Sequence, residues 1–359
     1  MSKTEIVFMN EGRQFATNMD KIISQWPLVY VIILNWNGWQ DTIECLESLE
    51  KATYAYFNVV IVDNASADDS VTRIRAWIKE KRIPLAEYKL ESREELPVLI
   101  SADEPRTAGL QRVELISSAV NLGFCAGNNV GMEFAYRAGA EYFLILNNDT
   151  IVEPNFLEPL IEAAQSLPNV GLLGSAICFY NDREKVSWAG GKFNCFLEYK
   201  GCYDDDTLIT DIANIGAYPT DCVLGCSTLI SRRVFEAVGG YDEDFFLWSE
   251  DWDLSVRIRK NGYQMIIVPS SVIYHKISKS LGLMHALPYY YSTRNRLLLK
   301  KKHLPWHLRM LFYLWFASTR LIRYSQFFLQ GRFDLIHAGL CAIKDYFLGK
   351  SGKWDKQVG

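Results

Sequence analysis

The sequence predicts an α/β protein built on a parallel sheet, and three short apolar segments are the basis for this. Residues 28–34 (LVYVIIL), 59–62 and 142–146 are aliphatic or aromatic runs. Such runs are typical of strands that are buried on both faces, as in parallel sheets. A helix predicted over residues 41–49 separates the first two, so the chain begins with a strand, helix, strand unit.

Each of the three predicted strands is followed by polar residues. The segments NWNG, DNAS and NND supply amide and carboxylate side chains at these points. In open parallel sheets, ligands bind beyond the carboxyl ends of the strands. We therefore expect one crevice to be lined by Asn35, Asn37, Asp63, Asn147, Asn148 and Asp149.

Two later regions are predicted to be irregular. Residues 84–113 are polar, acidic in their first half and contain Pro97 and Pro105, which indicates an insertion with little regular structure. Residues 170–225 are rich in glycine and acidic residues, and they are predicted to form loops and short strands that could recognise an acceptor.

Regular structure is predicted to return in the last third of the chain. Residues 231–238 and 251–260 are predicted helices, and residues 265–268 are a predicted strand. The chain from residue 286 onward is predicted to be helical. Its mixture of basic and aromatic residues fits two arrangements equally, a layer on an anionic membrane surface and a helical cap on the main domain.

Composition limits the class of protein. A chain of 359 residues with 49% hydrophobic content can bury a large core. A formal net charge of −4 argues against a nucleic-acid binder. The eight cysteines lie in apolar surroundings, which suits a reducing compartment. Cys222 and Cys226 lack a second pair of ligands, so buried thiols are favoured over a zinc site.

The ends of the chain contain no predicted membrane span. The first 26 residues include no apolar run of signal-peptide length, so a cytosolic protein is expected. Residues 310–319 are uncharged, but they are shorter than the ~20 residues of a spanning helix and are flanked by Arg309 and Arg320.

Several polar residues are candidates for ligand binding. Asp63 could accept a hydrogen bond from the imide N–H of uracil or thymine, although a strand-end Asp is more often a helix cap. Asp149 could bind Mg²⁺ or Mn²⁺, which prefer oxygen ligands, or it could simply close an Asx turn. His275 could be a metal ligand or a buried structural imidazole. Arg294 could hold a phosphate, or it could be a charge on a helix surface.

The segment FFLWSEDWDL contains the candidate catalytic carboxylates, Glu250 and Asp251. Adjacent acids at a helix start often serve only the helix dipole. Here the aromatic neighbours Trp248 and Trp252 could desolvate a carboxylate and raise its basicity, and aromatic faces can also support sugar rings.

Taken together, six ordered motifs resemble glycosyltransferase family 2, and in particular its bacterial rhamnosyltransferases of polysaccharide and cell-wall assembly. They are ILNWNG, VDNAS, NLGFCAGNN, LNNDT, FFLWSEDWDLSVR and YHKIS, and the match covers residues 29–299. The resemblance implies the GT-A fold, in which a Rossmann-like nucleotide-binding half and an acceptor half share one continuous mixed sheet. The expected division is an N-terminal extension (1–27), the GT-A domain (28–285) and a C-terminal helical appendage (286–359).

The resemblance also implies roles for individual residues. Asp63 matches a base-binding Asp, Asp149 the metal-binding Asp of an Asp-x-Asp element, and Asp251 the catalytic base, with Glu250 beside it. His275 matches a histidine that joins the metal or the diphosphate. The nucleotide pocket would include Asn121, Gly123 and Asn128. Asn147 departs from the family, since an acid often stands there, so the cation should arrive together with the donor.

The activity implied is transfer of a sugar from a nucleotide diphosphate to a hydroxyl, with inversion and with a divalent cation. By resemblance the first candidate donor is dTDP-rhamnose, and UDP-sugars come next. The acceptor would be a glycan or a polyprenyl-linked glycan at the inner face of the cytoplasmic membrane, and an oligomer is compatible with this.

Two other functions are weighed against this one. A sugar-nucleotide pyrophosphorylase should have a Gly-rich phosphate loop bearing Arg and Lys, whereas this chain has NWNGWQD. A non-catalytic sugar-binding relative is disfavoured by the intact Asp149 and Asp251.

Overall fold

The computed structural model describes residues 26–106, 109–193, 199–204, 206–276 and 285–354. Most of the predicted N-terminal extension lies outside these residues. The strands are β1 (Val29–Asn35), β2 (Tyr56–Asp63), β3 (Leu85–Leu90), β4 (Val98–Ala102), β5 (Gly109–Ser118), β6 (Tyr142–Leu146), β7 (Thr150–Val152), β8 (Val170–Phe179), β9 (Asp182–Trp188), β10 (Gly191–Phe193), β11 (Tyr199–Gly201), β12 (Tyr218–Thr220), β13 (Ser227–Ser231) and β14 (Gln264–His275).

The helices cover both faces of the sheet and form the C-terminal part of the chain. They are α1 (Trp39–Leu49), α2 (Ser70–Glu80), α3 (Gly123–Arg137), α4 (Leu157–Ser166), α5 (Ile209–Ile212), α6 (Arg232–Val238), α7 (Glu250–Lys260), α8 (Ala286–His303), α9 (Trp306–Leu329) and α10 (Phe333–Phe347), with a 3₁₀ turn at Glu243–Phe245. The predicted helices and strands are therefore confirmed in kind, with ends that differ by a few residues except at β14, which extends to His275.

The first half of the sheet is parallel. Strands β6, β1, β2, β5 and β3 lie side by side in that order. Asn35 at the end of β1 is directly opposite Asp63 at the end of β2. The polar segments after β1, β2 and β6 consequently meet at one edge of the sheet, as the sequence predicts.

The second half joins the first without a break. Strand β13 is antiparallel to both β6 and β8, and β14 runs parallel to β8. The short strand β7 pairs with the end of β14, so that Thr150 is opposite His275. All of these strands belong to one mixed sheet of twelve strands.

Residues 84–113 are not an irregular insertion, which corrects the prediction. Strand β3 is an internal strand between β5 and β4, and its Leu85, Ala86 and Leu90 are buried. The prolines that indicated a loop, Pro97 and Pro105, lie just outside β4 and so do not interrupt a ladder. Strand β4, at the edge of the sheet, is exposed along its whole length.

Residues 170–225 are also more regular than predicted. Strand β8 is ten residues long and lies between β14 and β13 in the interior of the sheet. Its Gly and Ser residues obscured the apolar pattern of a buried strand. They are small because neighbours approach closely: a Cβ at Gly174 would lie 2.6 Å from Val223 Cγ1.

The C-terminal helices form a second apolar cluster that includes part of the main domain. Its buried members are Tyr289, Tyr290, Tyr291, Phe327, Leu335, Ala338 and Ala342. Phe246, Leu247 and Trp248, which precede α7, pack against it. The predicted C-terminal helices are therefore present, and they also support the segment leading into α7. No helix in the described ranges is long and apolar enough to cross a membrane.

Helix α8 holds that segment by hydrogen bonds. Asn295 Nδ2 donates to the carbonyls of Phe245, Leu247 and Trp248 at 2.7–2.8 Å. Arg294 donates to the carbonyls of Phe245, Asp244 and Gly352 at 2.6–3.1 Å and is only 1% exposed. Arg294 is therefore a buried structural residue in this fold, which corrects its prediction as a phosphate ligand.

We predict that Arg294→Ala lowers the free energy of unfolding by roughly 3 kcal/mol or more, because three carbonyls lose a buried charged donor and the side chain leaves a cavity. Chemical denaturation measures this. Arg259→Ala is the matched control, since it removes a partly exposed Arg whose ion pair with Asp221 should contribute less than about 1 kcal/mol. Normal stability of Arg294→Ala together with weakened nucleotide binding would restore the phosphate-ligand interpretation.

Candidate active site

Asp149 and His275 come together at the carboxyl end of β6. The pairing of β7 with β14 brings His275 Nε2 to 3.1 Å from Asp149 Oδ1. The His275 side chain is 20% exposed and the Asp149 side chain is 12% exposed. Two ligands about 2.1 Å from one cation and at right angles to each other are about 3 Å apart, so this spacing fits a shared metal ion.

The protein contribution to such a site is small. Within the described residues there is no group of three or more His, Cys, Asp or Glu side chains that could hold a metal. A cation bound by Asp149 and His275 needs further ligands from outside the protein, which is usual for Mg²⁺ at phosphate-binding sites.

The two residues before Asp149 organise the backbone of the crevice. Asn148 Nδ2 donates to Thr42 Oγ1 at 3.1 Å and to the Gly38 carbonyl at 3.3 Å, at the start of α1. The Asn147 carbonyl accepts from Thr150 Oγ1 at 2.6 Å. The Asn148 amide thus holds α1 against β6.

Asp63 is buried at the end of β2 and is held by its neighbours. Its Oδ1 accepts from Asn35 Nδ2 at 2.7 Å and from Ser66 Oγ at 2.6 Å, and its Oδ2 accepts from the Ser66 N–H at 3.1 Å. The helix cap of α2 is Asp69. The alternative reading of Asp63 as a helix cap is therefore wrong.

Three asparagines shape the loops around Asp63. Asn37 has a left-handed backbone, and its Oδ1 accepts from the N–H groups of Ala67 and Asp68, which fixes the loop after β2. Asn121 Oδ1 accepts from the Gly123 N–H at 2.9 Å. Asn128 Nδ2 donates to a backbone carbonyl one turn earlier in α3. Asn37 and Asn121 thus fix the loops after β2 and before α3, whereas Asn128 is buried within α3.

The segment before α7 is strained. Phe246, Trp248 and Ser249 have φ values of 64°, 67° and 69°, a left-handed conformation that non-glycine residues rarely adopt. The Phe246 ring lies where a Cβ of Gly123 would stand, at 2.4 Å. The Phe246 carbonyl also accepts from the Phe124 N–H at 2.7 Å. This turn is thereby fixed against the start of α3.

Glu250 and Asp251 begin α7 in different surroundings. Glu250 is 5% exposed, and burial, followed by the charge of Asp251, raises its pKa well above the usual value. The Asp251 residue retains some exposure to solvent. Burial of its carboxyl group raises the pKa to about 6, and the nearby Gly225 N–H and Tyr241 hydroxyl reduce this rise. The predicted rise in carboxylate basicity is present at Asp251.

The two tryptophans differ in how much of their side chains is accessible to a sugar. Trp252 is 4% exposed and packs against the Phe193 ring, with the centroids 6.1 Å apart. It is a core residue in this structure, which corrects its prediction as a sugar platform. Trp248 is half-buried, and it packs on the C-terminal cluster.

Sequence reasoning missed the residues that surround Asp251. Gly225 leaves room for the carboxylate, since a Cβ there would lie 2.7 Å from Asp251 Oδ1 and 2.9 Å from the Tyr241 hydroxyl. The GCS and GGYD segments that contain these residues carry no local signal of proximity to α7. Cys222 and Cys226 lie nearby and are buried thiols, as predicted.

Asp253 was also missed, although it is almost fully buried. It accepts from Arg257 Nε at 2.7 Å and lies 2.7 Å from His303 Nε2, which links α7 to α8. Burial raises its pKa, but the hydrogen bond of His303 and the charge of Arg257 outweigh this and lower it overall. The Asp and Arg four residues apart were the available signal.

Comparison with known proteins gives two matches to sequence models of families. The model described as Glycosyl transferase family 2 matches residues 30–239, more than half of the chain. A second, described as Glycosyl transferase family group 2, matches residues 142–343. Both matches include the segment from β6 to α6, and together they cover the candidate site.

Among characterised relatives, two rhamnosyltransferases are similar to this chain. The N-acetylglucosaminyl-diphospho-decaprenol L-rhamnosyltransferase of Mycobacterium tuberculosis is 27% identical over 226 residues, which cover 55% of this chain and 72% of that protein. The dTDP-rhamnosyl transferase RfbF of Shigella flexneri is 25% identical over 209 residues, or 56% of this chain and 67% of that protein.

A solved structure supports the fold. The crystal structure of GalNAc-T7 with UDP, GalNAc and Mn²⁺ superposes with a TM-score of 0.54 at 16% identity, and the match covers 77% of this chain and 48% of that one. At this identity the likeness concerns the GT-A fold alone. With the family match and the fold in agreement, this chain belongs to glycosyltransferase family 2 and is a glycosyltransferase similar to bacterial rhamnosyltransferases.

Proposed function

We propose that the enzyme transfers L-rhamnose from dTDP-rhamnose to a hydroxyl group by a single displacement with inversion. The donor is proposed from the two rhamnosyltransferase relatives, and UDP-sugars are the second candidates. The observation that carries the mechanism is a short backbone segment that bonds the strand end before Asp149 and also approaches the Asp251 carboxylate.

That segment is Gly225-Cys226. The Cys226 carbonyl accepts from the Asn147 N–H at 3.3 Å, two residues before Asp149. Gly225 contacts the Asp251 carboxylate and the Tyr241 hydroxyl, as described above. Inversion needs the base and the departing group on opposite faces of the sugar, and we propose that Asp251 and the Asp149 side of the site take these two positions.

The nucleotide is proposed to bind at the ends of β1 and β2. Each carboxylate oxygen can accept two hydrogen bonds, and Asp63 Oδ2 receives one, from the Ser66 N–H. Its remaining capacity suits the imide N–H of thymine or uracil. The fixed loops around Asn37 and Asn121 would then enclose the base and the ribose.

Asp149 and His275 are proposed to hold a divalent cation, Mg²⁺ or Mn²⁺. Such an ion, when bound, offsets the negative charge of the diphosphate leaving group. The two side chains have suitable donor atoms and spacing. Because Asn147 contributes no charge, we propose that Asp149 and His275 acquire the cation together with the donor.

Asp251 is proposed to accept the proton of the acceptor hydroxyl. A pKa of about 6 leaves this carboxylate ionised at neutral pH while making it more basic than an ordinary Asp. Glu250 is the less suitable base, because it is buried and its pKa is raised well above the usual value. Neighbouring residues of a helix also point about 100° apart, so only one faces the acceptor.

We predict that Asp251→Asn lowers kcat by the ~10²–10⁴ typical of a lost general base, with unchanged donor binding. It should also raise the melting temperature. The fold raises the pKa of this carboxyl from 3.8 to about 6, so it favours the protonated form, and the charge present at pH 7 is destabilising. Glu250→Gln is the control and should keep most of the activity. The reverse pattern would exchange the roles of the two residues.

The pH dependence should report the same carboxylate. With Asp251 as the base, kcat/KM should rise with pH through about 6 and level off above it. Initial rates at saturating Mn²⁺ measure this. A kcat/KM that does not change across this transition would contradict the assignment of Asp251 as the base.

Metal dependence tests the other side of the site. Asp149→Ala should remove the Mn²⁺-dependent part of dTDP-rhamnose binding, measured by calorimetry with and without the ion. His275→Ala should weaken Mn²⁺ binding more than it lowers the melting temperature. His337→Ala, which replaces an exposed histidine on α10, is the control. Unchanged metal titration with a large loss of stability would make His275 a structural residue.

The acceptor is proposed to be a sugar on a polyprenyl diphosphate, as in the name of the mycobacterial relative. Purified enzyme is incubated with N-acetylglucosaminyl-diphospho-polyprenol and with dTDP-rhamnose or UDP-sugars in separate reactions. Mass spectrometry should detect a product that has gained one deoxyhexose with dTDP-rhamnose and no product with UDP-sugars. Product formation from UDP-sugars alone would replace the proposed donor with the second candidate.

A further inference from the structure

Large apolar side chains are concentrated on the outer surface of the last two helices. We define the outer apolar face as eight residues that are each more than half exposed. They are Met310, Leu314, Leu321, Phe328 and Leu329 of α9 and Phe333, Leu340 and Phe347 of α10, with exposed fractions of 52–85%.

These residues form stripes along the helices. Leu314, Leu321 and Phe328 are seven residues apart, about two turns, so they share one side of α9. The buried residues of α9, Phe312, Phe316 and Phe327, face the protein instead. Phe333, Leu340 and Phe347 repeat the same spacing on α10. Monomeric proteins rarely expose continuous apolar patches of this kind, so the outer apolar face should have a partner.

The charge around the face indicates what that partner is. Helix α9 contains three arginines, Arg309, Arg320 and Arg323, and no Asp or Glu, whereas the whole chain has a net charge of −4. Among the described residues, Arg309, Arg320 and Arg323 contact a carbonyl, a hydroxyl and aromatic rings, and none of them pairs with a carboxylate. A second copy of this chain would bring positive charge against positive charge.

We propose that the outer apolar face docks on an anionic membrane surface, with α9 and α10 lying along it. Apolar residues would enter the boundary between headgroups and acyl chains while the flanking basic residues contact lipid phosphates. The proposed attachment is peripheral, with the helices lying on the bilayer surface.

Docking there would also orient the catalytic machinery. The helices that carry the outer apolar face also form the cluster against which Leu247 and Trp248 pack. Arg294 and Asn295 of α8 hold the same turn. The start of α7 would therefore have a fixed height above the bilayer. This part of the inference rests on the proposed function, because it matters for catalysis only if the acceptor is lipid-linked.

The test is co-sedimentation of the full chain with phosphatidylglycerol and phosphatidylcholine vesicles, and with phosphatidylcholine alone. We expect binding to the anionic vesicles that weakens as salt rises, since each Lys or Arg at the surface contributes to binding. The variant Leu314→Ser/Leu321→Ser/Phe328→Ser should lose at least about tenfold in affinity. The matched control, Leu96→Ser/Val98→Ser/Ile100→Ser, changes three residues near β4 that are 54–64% exposed and should bind as the wild type does.

Several outcomes would overturn the proposal. They are absence of wild-type binding to anionic vesicles at low salt, equal binding to phosphatidylcholine alone, and equal effects of the two triple variants. Light scattering tests the rival explanation. A wild-type dimer that dissociates in the α9 triple variant would assign the outer apolar face to contact with a second copy of the chain. The assay uses neither donor nor acceptor, so absence of vesicle binding does not contradict the proposed reaction. Conversely, an enzyme that shows no transferase activity but binds vesicles would not contradict the docking proposal.

Discussion

The site depends on one constraint, the strained turn between Phe245 and Ser249. Three of its residues have left-handed backbones, which cost about 1–3 kcal/mol each for residues other than glycine. Asn295 offsets this by donating to three of its carbonyls, and the Phe246 ring stacks on Tyr291 with the centroids 5.3 Å apart. The sheet alone therefore does not determine where α7 begins. The C-terminal helices complete the fold of the site.

A second cost is the burial of two adjacent carboxyl groups at the start of α7. Their surroundings are apolar or weakly polar and include Tyr241 and the thiols of Cys222 and Cys226, whose own pKa values are raised well above normal by burial. Desolvation disfavours the charged forms of all these groups. The rest of the fold must supply the stability that this region lacks, while the same desolvation makes Asp251 a stronger base.

The sequence predicted where the polar strand ends meet better than it predicted the direction of individual side chains. Strands that end in polar residues located the crevice, because parallel strands share one carboxyl edge. Arg294 was mistaken for an anion ligand, since its partners are backbone carbonyls and these leave no trace in the sequence. Residues 84–113 were mistaken for a loop because prolines that flank a strand are hard to distinguish, in sequence, from prolines that break one.

The backbone at Gly225-Cys226 explains how the two halves of the site keep their spacing. It continues directly into β13, whose Ser227 is paired with Leu146 at the end of β6. The Cys226 carbonyl of this segment bonds the Asn147 N–H, and Gly225 leaves space for the Asp251 carboxylate. A side chain at residue 225 would therefore collide with the Asp251 carboxylate. Two consecutive residues of one main-chain segment thus adjoin both the strand end that carries Asp149 and the carboxylate at the start of α7.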